Sequence, residues 1–345
     1  MILYLFLGAL CFNAYANFKN KQNKISIYIV CLLVLFVGLQ NNFTSDYSNY
    51  YNHFTEINNI YNVITSIYEI GFDFLILFIK KLNFGFHTLL LVIACTSILI
   101  KYYVINKISP WPCISFIIYF IYFFVYNDVS QIRHGLAIAL CFLSVLFINK
   151  KLILSFLLIL LASTFHTSAL FFIPALLIDK FPINKKSILV FLILTCFISL
   201  IDIYNLINFL NDNFIHSFYI SFKLDSYGAS SAIPLLQFGF WFRVIFAIYY
   251  FKSCIDNSDH QHILFFKIFL LGIVMYCLTS SISILQARVS VYYMYMFLPM
   301  MGNVFNNIYI NKNKKDIIFF VFIMTYLIIR FVLLVNGNYF SYQSI

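Results

Sequence analysis

Apolar residues in this chain come in continuous runs broken by short polar stretches, and the runs do not alternate as a half-buried strand would. Ile25–Gln40 and Ile317–Val335 are typical of them. A membrane-crossing helix needs roughly 20 mostly apolar residues, and about a dozen such stretches fit the sequence. They lie at 1–18, 25–41, 86–104, 111–127, 130–149, 152–165, 167–180, 187–205, 234–252, 263–282, 287–308 and 316–336. Gly71–Leu82 is apolar but too short to be one of them, and it ends in Lys80-Lys81. Runs of that length read as re-entrant or interfacial helices.

Composition narrows the class. The chain has 345 residues, 63% hydrophobic and 10% charged, and a mean hydropathy of +0.91. A soluble domain carries roughly 25% charged residues, so too little polar surface is present to face water. In lipid every backbone polar group must be satisfied internally, which leaves helices or closed barrels. The unbroken runs select helices, giving an all-α, polytopic integral membrane protein of about 12 spans, with residues 1–345 as one transmembrane domain. No basic n-region precedes the first apolar run, so 2–17 reads as a first span instead of a cleaved signal.

The net charge of +10 comes from lysines gathered between runs: Lys19, Lys21 and Lys24; Lys101 and Lys107; Lys150 and Lys151; Lys180, Lys185 and Lys186; Lys312, Lys314 and Lys315. Cytoplasmic loops carry such an excess. Nucleic acid would call for continuous, solvated basic segments, so it is excluded as a partner. With the lysine groups inside, both termini and two long loops, about 41–70 and 205–233, fall outside. The first loop holds Asp46, Glu56 and Glu69 with no Lys or Arg. The eight cysteines lie in or beside apolar runs without metal-ligand spacing, so they read as small buried hydrophobes. No metal site is expected.

Four arginines stand apart from the lysine groups: Arg133, Arg243, Arg288 and Arg330. All four fall within spans or at their outer ends, where a charge costs about 2.5–3.5 kcal/mol at mid-helix on insertion scales. Arginine suits planar capture of phosphate or carboxylate. Arg133 follows Gln131 and precedes His134 and Gly135 at the start of a span, where helix N–H groups add positive potential. Arg288, Tyr292 and Tyr295 share a face by i, i+4, i+7 spacing, a stripe suited to phosphate and sugar rings. Arg243 sits deeper in its span as a further anion contact, and Arg330 reads as snorkelling. His166, at an outer turn, has the chemistry of a general base. Asp46 and Glu69 are acids on the same side, and Tyr47 and Tyr50 beside Asp46 suit stacking on sugars.

In this order the pieces resemble the EpsG-like branch of the Wzy polysaccharide polymerases. The residues that carry the likeness are Asp46-Tyr47 and Tyr50-Tyr51, then Glu69-Ile70-Gly71-Phe72, Gln131-Ile132-Arg133-His134-Gly135-Leu136-Ala137, and Ala162-Ser163-Thr164-Phe165-His166-Thr167-Ser168-Ala169-Leu170, with Arg288 before Tyr292. The likeness covers about 45–300. The chain departs from the family in His134, where Gln is usual, and in Ile70, where Pro is usual.

The resemblance implies a GT-C-like, metal-independent glycosyltransferase of the bacterial inner membrane, without cofactor. Such an enzyme joins undecaprenyl-pyrophosphate-linked repeat units of O-antigen, capsule or another surface glycan at the outer face. A chain-length regulator and a flippase are the implied partners. Arg133, Arg288 and Arg243 would hold the pyrophosphate. His166, Asp46 or Glu69 would take the acceptor proton, and Tyr47, Tyr50, Gln131, His134, Tyr292 and Tyr295 would contact the glycan. A lipid-linked glycan flippase would also want arginines in the membrane, but it would be expected to show two related halves, and no internal repeat is visible. A membrane acyltransferase would want its histidine near a cytoplasmic donor.

Overall fold

The computed structural model describes residues 2–19, 24–44, 46–216, 234–255 and 259–336. Beyond residue 216, the predicted outer loop at 205–233 lies outside the described residues. Every regular element among the described residues is a helix. Four are long and apolar enough to cross a membrane: Phe86–Ile108, Pro112–Ser130, His260–Leu278 and Lys314–Asn336. Shorter apolar helices, such as Ile27–Gly38 and Leu152–Ser163, accompany them. The chain forms two compact units, 1–170 with 298–345, and 171–297.

The first unit contains α1 (Ile2–Lys19), α2 (Ile27–Gly38), α3 (Tyr47–Glu56), α4 (Ile60–Thr65), α5 (Ile70–Lys81), α6 (Phe86–Ile108), α7 (Pro112–Ser130), α8 (Ile132–Ser144) and α9 (Leu152–Ser163). Helix α6 packs between α2 and α8, and α8 packs on α9. The stretch read as an open loop at 41–70 in fact carries α3 and α4. Tyr50 and Phe54, four residues apart, put one face of α3 into a core with Phe72, Ile76, Phe86 and Leu136. Helix α4 is started by Asn59, whose side chain accepts from the Asn62 amide while the Asn62 side chain reaches back to the Asn59 amide.

Helix α5 has 12 residues, about 18 Å at 1.5 Å per residue, against roughly 30 Å of bilayer core. Its end is fixed locally. Asn83 adopts a left-handed conformation at φ 61°, its amide bonds to the Lys80 carbonyl, and the Phe84 amide bonds to the Ile79 carbonyl. Lys80 then ties the helix end to Thr55 and Asn58 at 3.1 and 2.8 Å.

Helix α7 starts with Pro112, whose missing N–H is no loss in a first turn. From Phe120 to Ser130 it widens into a π-helix, a form frequent at functional sites. That stretch carries Asp128, whose carboxylate receives Lys101 at 2.6 and 2.7 Å, Ser97 at 2.5 Å and Tyr119 at 2.8 Å. Lys101 is 0% exposed. It is a core ion pair and not the inner-loop charge expected from its spacing to Lys107, because α6 runs on to Ile108 and encloses it.

The second unit contains α10 (Lys185–Ile198), α11 (Ile203–Leu210), α12 (Phe238–Ser253), α13 (His260–Leu278) and α14 (Ser283–Met294). Helix α13 packs on α10, α12 and α14. The chain then passes through α15 (Phe297–Asn311) and α16 (Lys314–Asn336). The single span expected at 287–308 is therefore two helices. Pro299 has no N–H to bond the Tyr295 carbonyl, so the first helix cannot continue through it. Pro174 likewise lies in a stretch, Thr167–Leu176, that winds as a 3₁₀-helix instead of the expected α-helical span. On α16, Ile318, Val321, Phe322, Ile329 and Leu333 are exposed, a face suited to lipid and ill suited to water.

Candidate active site

In the first unit, two turns of the chain are pressed together by a glycine. The Gly71 amide bonds to the Thr164 carbonyl at 2.8 Å, and a Cβ at position 71 would strike the Thr164 side chain and carbonyl. This sets Glu69 beside the 164–167 turn. Glu69 occupies the cap position of α5, yet its carboxylate makes no cap bond. It reaches across to Arg133 in an ion pair and accepts from the Thr167 amide at 3.2 Å. Both side chains are largely buried, Arg133 at 16% and Glu69 at 14% exposure.

Arg133 is placed by a break in the helix. The chain leaves α7 at Gln131, with φ −95° and ψ 63°, and restarts as α8. Gly135 allows the restart, since a Cβ there would collide with the Asn127 carbonyl. The guanidinium carbon lies 4.2 Å from the Tyr68 ring centroid, 5.4 Å from Phe72 and 5.6 Å from Tyr50. Aromatic faces attract such a cation when water is excluded. Burial pushes the pKa of the Tyr50 hydroxyl up, against the opposing pull of the nearby Arg133 guanidinium. Arg133 Nε is buried with no hydrogen-bond partner. The ion pair thus leaves one strong donor unspent.

His134 follows Arg133 in sequence, His166 precedes Thr167, and the two imidazoles stand against each other in space. Their ring centroids are 4.8 Å apart. His134 Nδ1 is 3.2 Å from Gln131 Oε1, and His166 Nδ1 is 2.6 Å from Ser168 Oγ. Asp46 begins α3 one turn before Tyr50, and Tyr47 packs edge-on against Phe86 at 5.3 Å. Of the expected residues, Arg133, Glu69, Gln131, His134, His166, Asp46, Tyr47 and Tyr50 all belong to this unit. Tyr50 is buried as part of the arginine's cage and is not the exposed sugar platform expected from the loop.

Of the other cage residues, Phe72 closes the Glu69-Ile70-Gly71-Phe72 motif, whereas Tyr68 did not stand out in the sequence, although its i, i+4 spacing to Phe72 across Glu69 is a usable signal. Behind Tyr68 lies a buried acid–histidine pair that went unnoticed as well. His53 stacks on Tyr68 with centroids 3.9 Å apart, and its Nε2 meets Asp73 at 2.6 Å. Asp73, a lone acid in an apolar run, was the visible sign.

The second unit holds the other expected anion contacts. Arg243 is buried, donates to the Gly239 carbonyl at 2.7 Å and lies 4.1 Å from the Tyr276 ring centroid. Its Nη2 comes 3.5 Å from Ser290 Oγ. Arg288 is half-buried on α14. Tyr292 and Tyr295 are 1% and 0% exposed, so the stripe expected to greet sugar is closed, and these two rings serve as core. Back in the first unit, Arg330 rests over the Tyr122 ring at 4.2 Å.

Fold and site together define a membrane protein of packed apolar helices that holds an arginine–carboxylate pair with two histidines alongside. The chain belongs to the EpsG family, whose model matches residues 23–344, nearly the whole length. EpsG-like proteins are polymerase-like in the manner of the Wzy proteins. Neither a curated protein nor a solved structure matches the chain.

Proposed function

We propose that the protein is a polysaccharide polymerase of the bacterial inner membrane, with its site at the outer face. It would move a growing glycan from undecaprenyl pyrophosphate onto a hydroxyl at the non-reducing end of a new lipid-linked repeat unit. The bond between the anomeric carbon and the pyrophosphate oxygen breaks, and its electron pair leaves with the pyrophosphate. The acceptor oxygen forms the glycosidic bond and gives up its proton. The observation that carries this reading is Arg133, caged by three aromatic rings with an unspent buried donor. A guanidinium so held stabilises charge building on the leaving phosphate without having to reorganise.

His166 is the favoured proton acceptor, because Glu69 is engaged by Arg133 and Thr167 and a histidine titrates near the working pH. Arg243 and Arg288 are candidates for an anion within the second unit. Replacing Arg133 by Ala tests the proposal. The expected outcome is normal insertion, with surface glycan reduced to single repeat units on gels. An unchanged ladder of chain lengths would rule the mechanism out, and glycan retained inside the cell would favour a flippase.

A further inference from the structure

We propose that Glu69 is a resident counter-ion, exchanged for the phosphate of the lipid-linked donor when the donor binds; this rests on the reading of Arg133 as the donor contact. Three features of the site support it. The carboxylate is free of the capping work its position invites, and is spent on Arg133 instead. It is the one carboxylate paired with that guanidinium among the described residues, and it binds through Nη1. The guanidinium is otherwise surrounded by aromatic rings, and its buried Nε–H has no hydrogen-bond partner.

Burying a lone cation is costly, so an empty site needs an anion of its own. A pyrophosphate carries more charge and more acceptor oxygens than a carboxylate. It satisfies the orphan donor as well as the one Glu69 uses. Both anions cannot hold the same edge of the guanidinium, because like charges at contact repel strongly in a dry site. The carboxylate has somewhere to go: the Thr167 amide already donates to its other oxygen at 3.2 Å. Swinging toward that turn keeps it hydrogen-bonded while it releases Arg133. The exchange keeps the guanidinium paired in both states. It also makes donor binding weaker than an open arginine would allow, which favours release of the spent carrier.

The test uses the full chain in nanodiscs of neutral lipid, titrated with geranylgeranyl pyrophosphate. Glu69→Gln removes the competing charge at nearly constant shape, and should bind the pyrophosphate at least about tenfold more tightly than the unaltered protein. Glu69→Asp keeps the charge on a stem one methylene shorter, and should fall between the two. Arg133→Ala should not bind. Equal or weaker binding by both Glu69 variants, with binding still lost in Arg133→Ala, would show that Glu69 only orients the arginine and would overturn the exchange alone. Binding by none of the proteins, or undiminished binding by Arg133→Ala, would sink the donor-site reading and the exchange with it.

Discussion

One fully buried charge in this protein is held by a full set of partners. Asp128 takes four hydrogen bonds, from Ser97, Tyr119 and both approaches of Lys101. Removing one member of such a pair leaves the other uncompensated, at a cost of about 3–5 kcal/mol. Asp128→Ala should therefore lower the melting temperature of the purified protein sharply or send it to aggregate. The paired change Lys101→Met with Asp128→Leu should recover most of the loss. A single variant as stable as the unaltered protein would show that the pair carries no stability. Nothing in the sequence marks Lys101 off from Lys107, since both are isolated lysines near the end of an apolar run. Their fates differ because α6 ends at 108 and not at 104, a difference of one turn. Arg133, Glu69, His134 and His166 were legible because a charge or imidazole in an apolar chain is conspicuous. The cage around Arg133 was not: Tyr50 was expected to meet sugar and Tyr68 was not singled out, because in a chain of 26 Tyr and 43 Phe a ring's identity does not reveal what it packs on.

Helix boundaries set by apolar length were mostly readable, and those set by backbone chemistry were not. The expected 86–104 and 316–336 correspond to α6 and α16, whose runs are long and uninterrupted. The expected 287–308 fails at Pro299 and 167–180 at Pro174, where the missing N–H counts for more than hydropathy. Helices α3 and α4 were hidden because they are polar on one side and short. One departure from the family can be examined on α5. Ile70 is its first residue, the place where proline fits best. Glu69 before it has φ −74° and ψ 136°, the extended conformation that proline imposes on its predecessor. Ile70→Pro should thus be accepted and should stabilise by about 0.4–1 kcal/mol through the unfolded state. Thermal unfolding would read this as a small rise in midpoint, and a fall would mean the Ile70 side chain has a packing role that its exposure does not show.

For the molecule as a whole, orientation follows from where the lysine groups lie, and it can be measured directly. Ser48 is exposed on α3, within the stretch placed outside. With the native cysteines replaced, Ser48→Cys should react with a membrane-impermeant maleimide added to intact spheroplasts. Labelling only after the membrane is opened would invert the topology and put the proposed chemistry on the wrong face. The division into two units was not legible from the apolar runs, which continue through residues 170 and 298. Sequence pattern reports what each segment prefers to touch and is silent about which segments touch one another.

The ion pair between α6 and α7 also bears on how the chain carries charge into lipid. Only Ser109, Pro110 and Trp111 separate the two helices, so the ammonium and its carboxylate sit on neighbouring segments of one hairpin. A segment bearing an unaccompanied lysine partitions poorly into hydrocarbon. Pairing with Asp128, 27 residues further along, offsets a charge that α6 would otherwise carry into the bilayer alone.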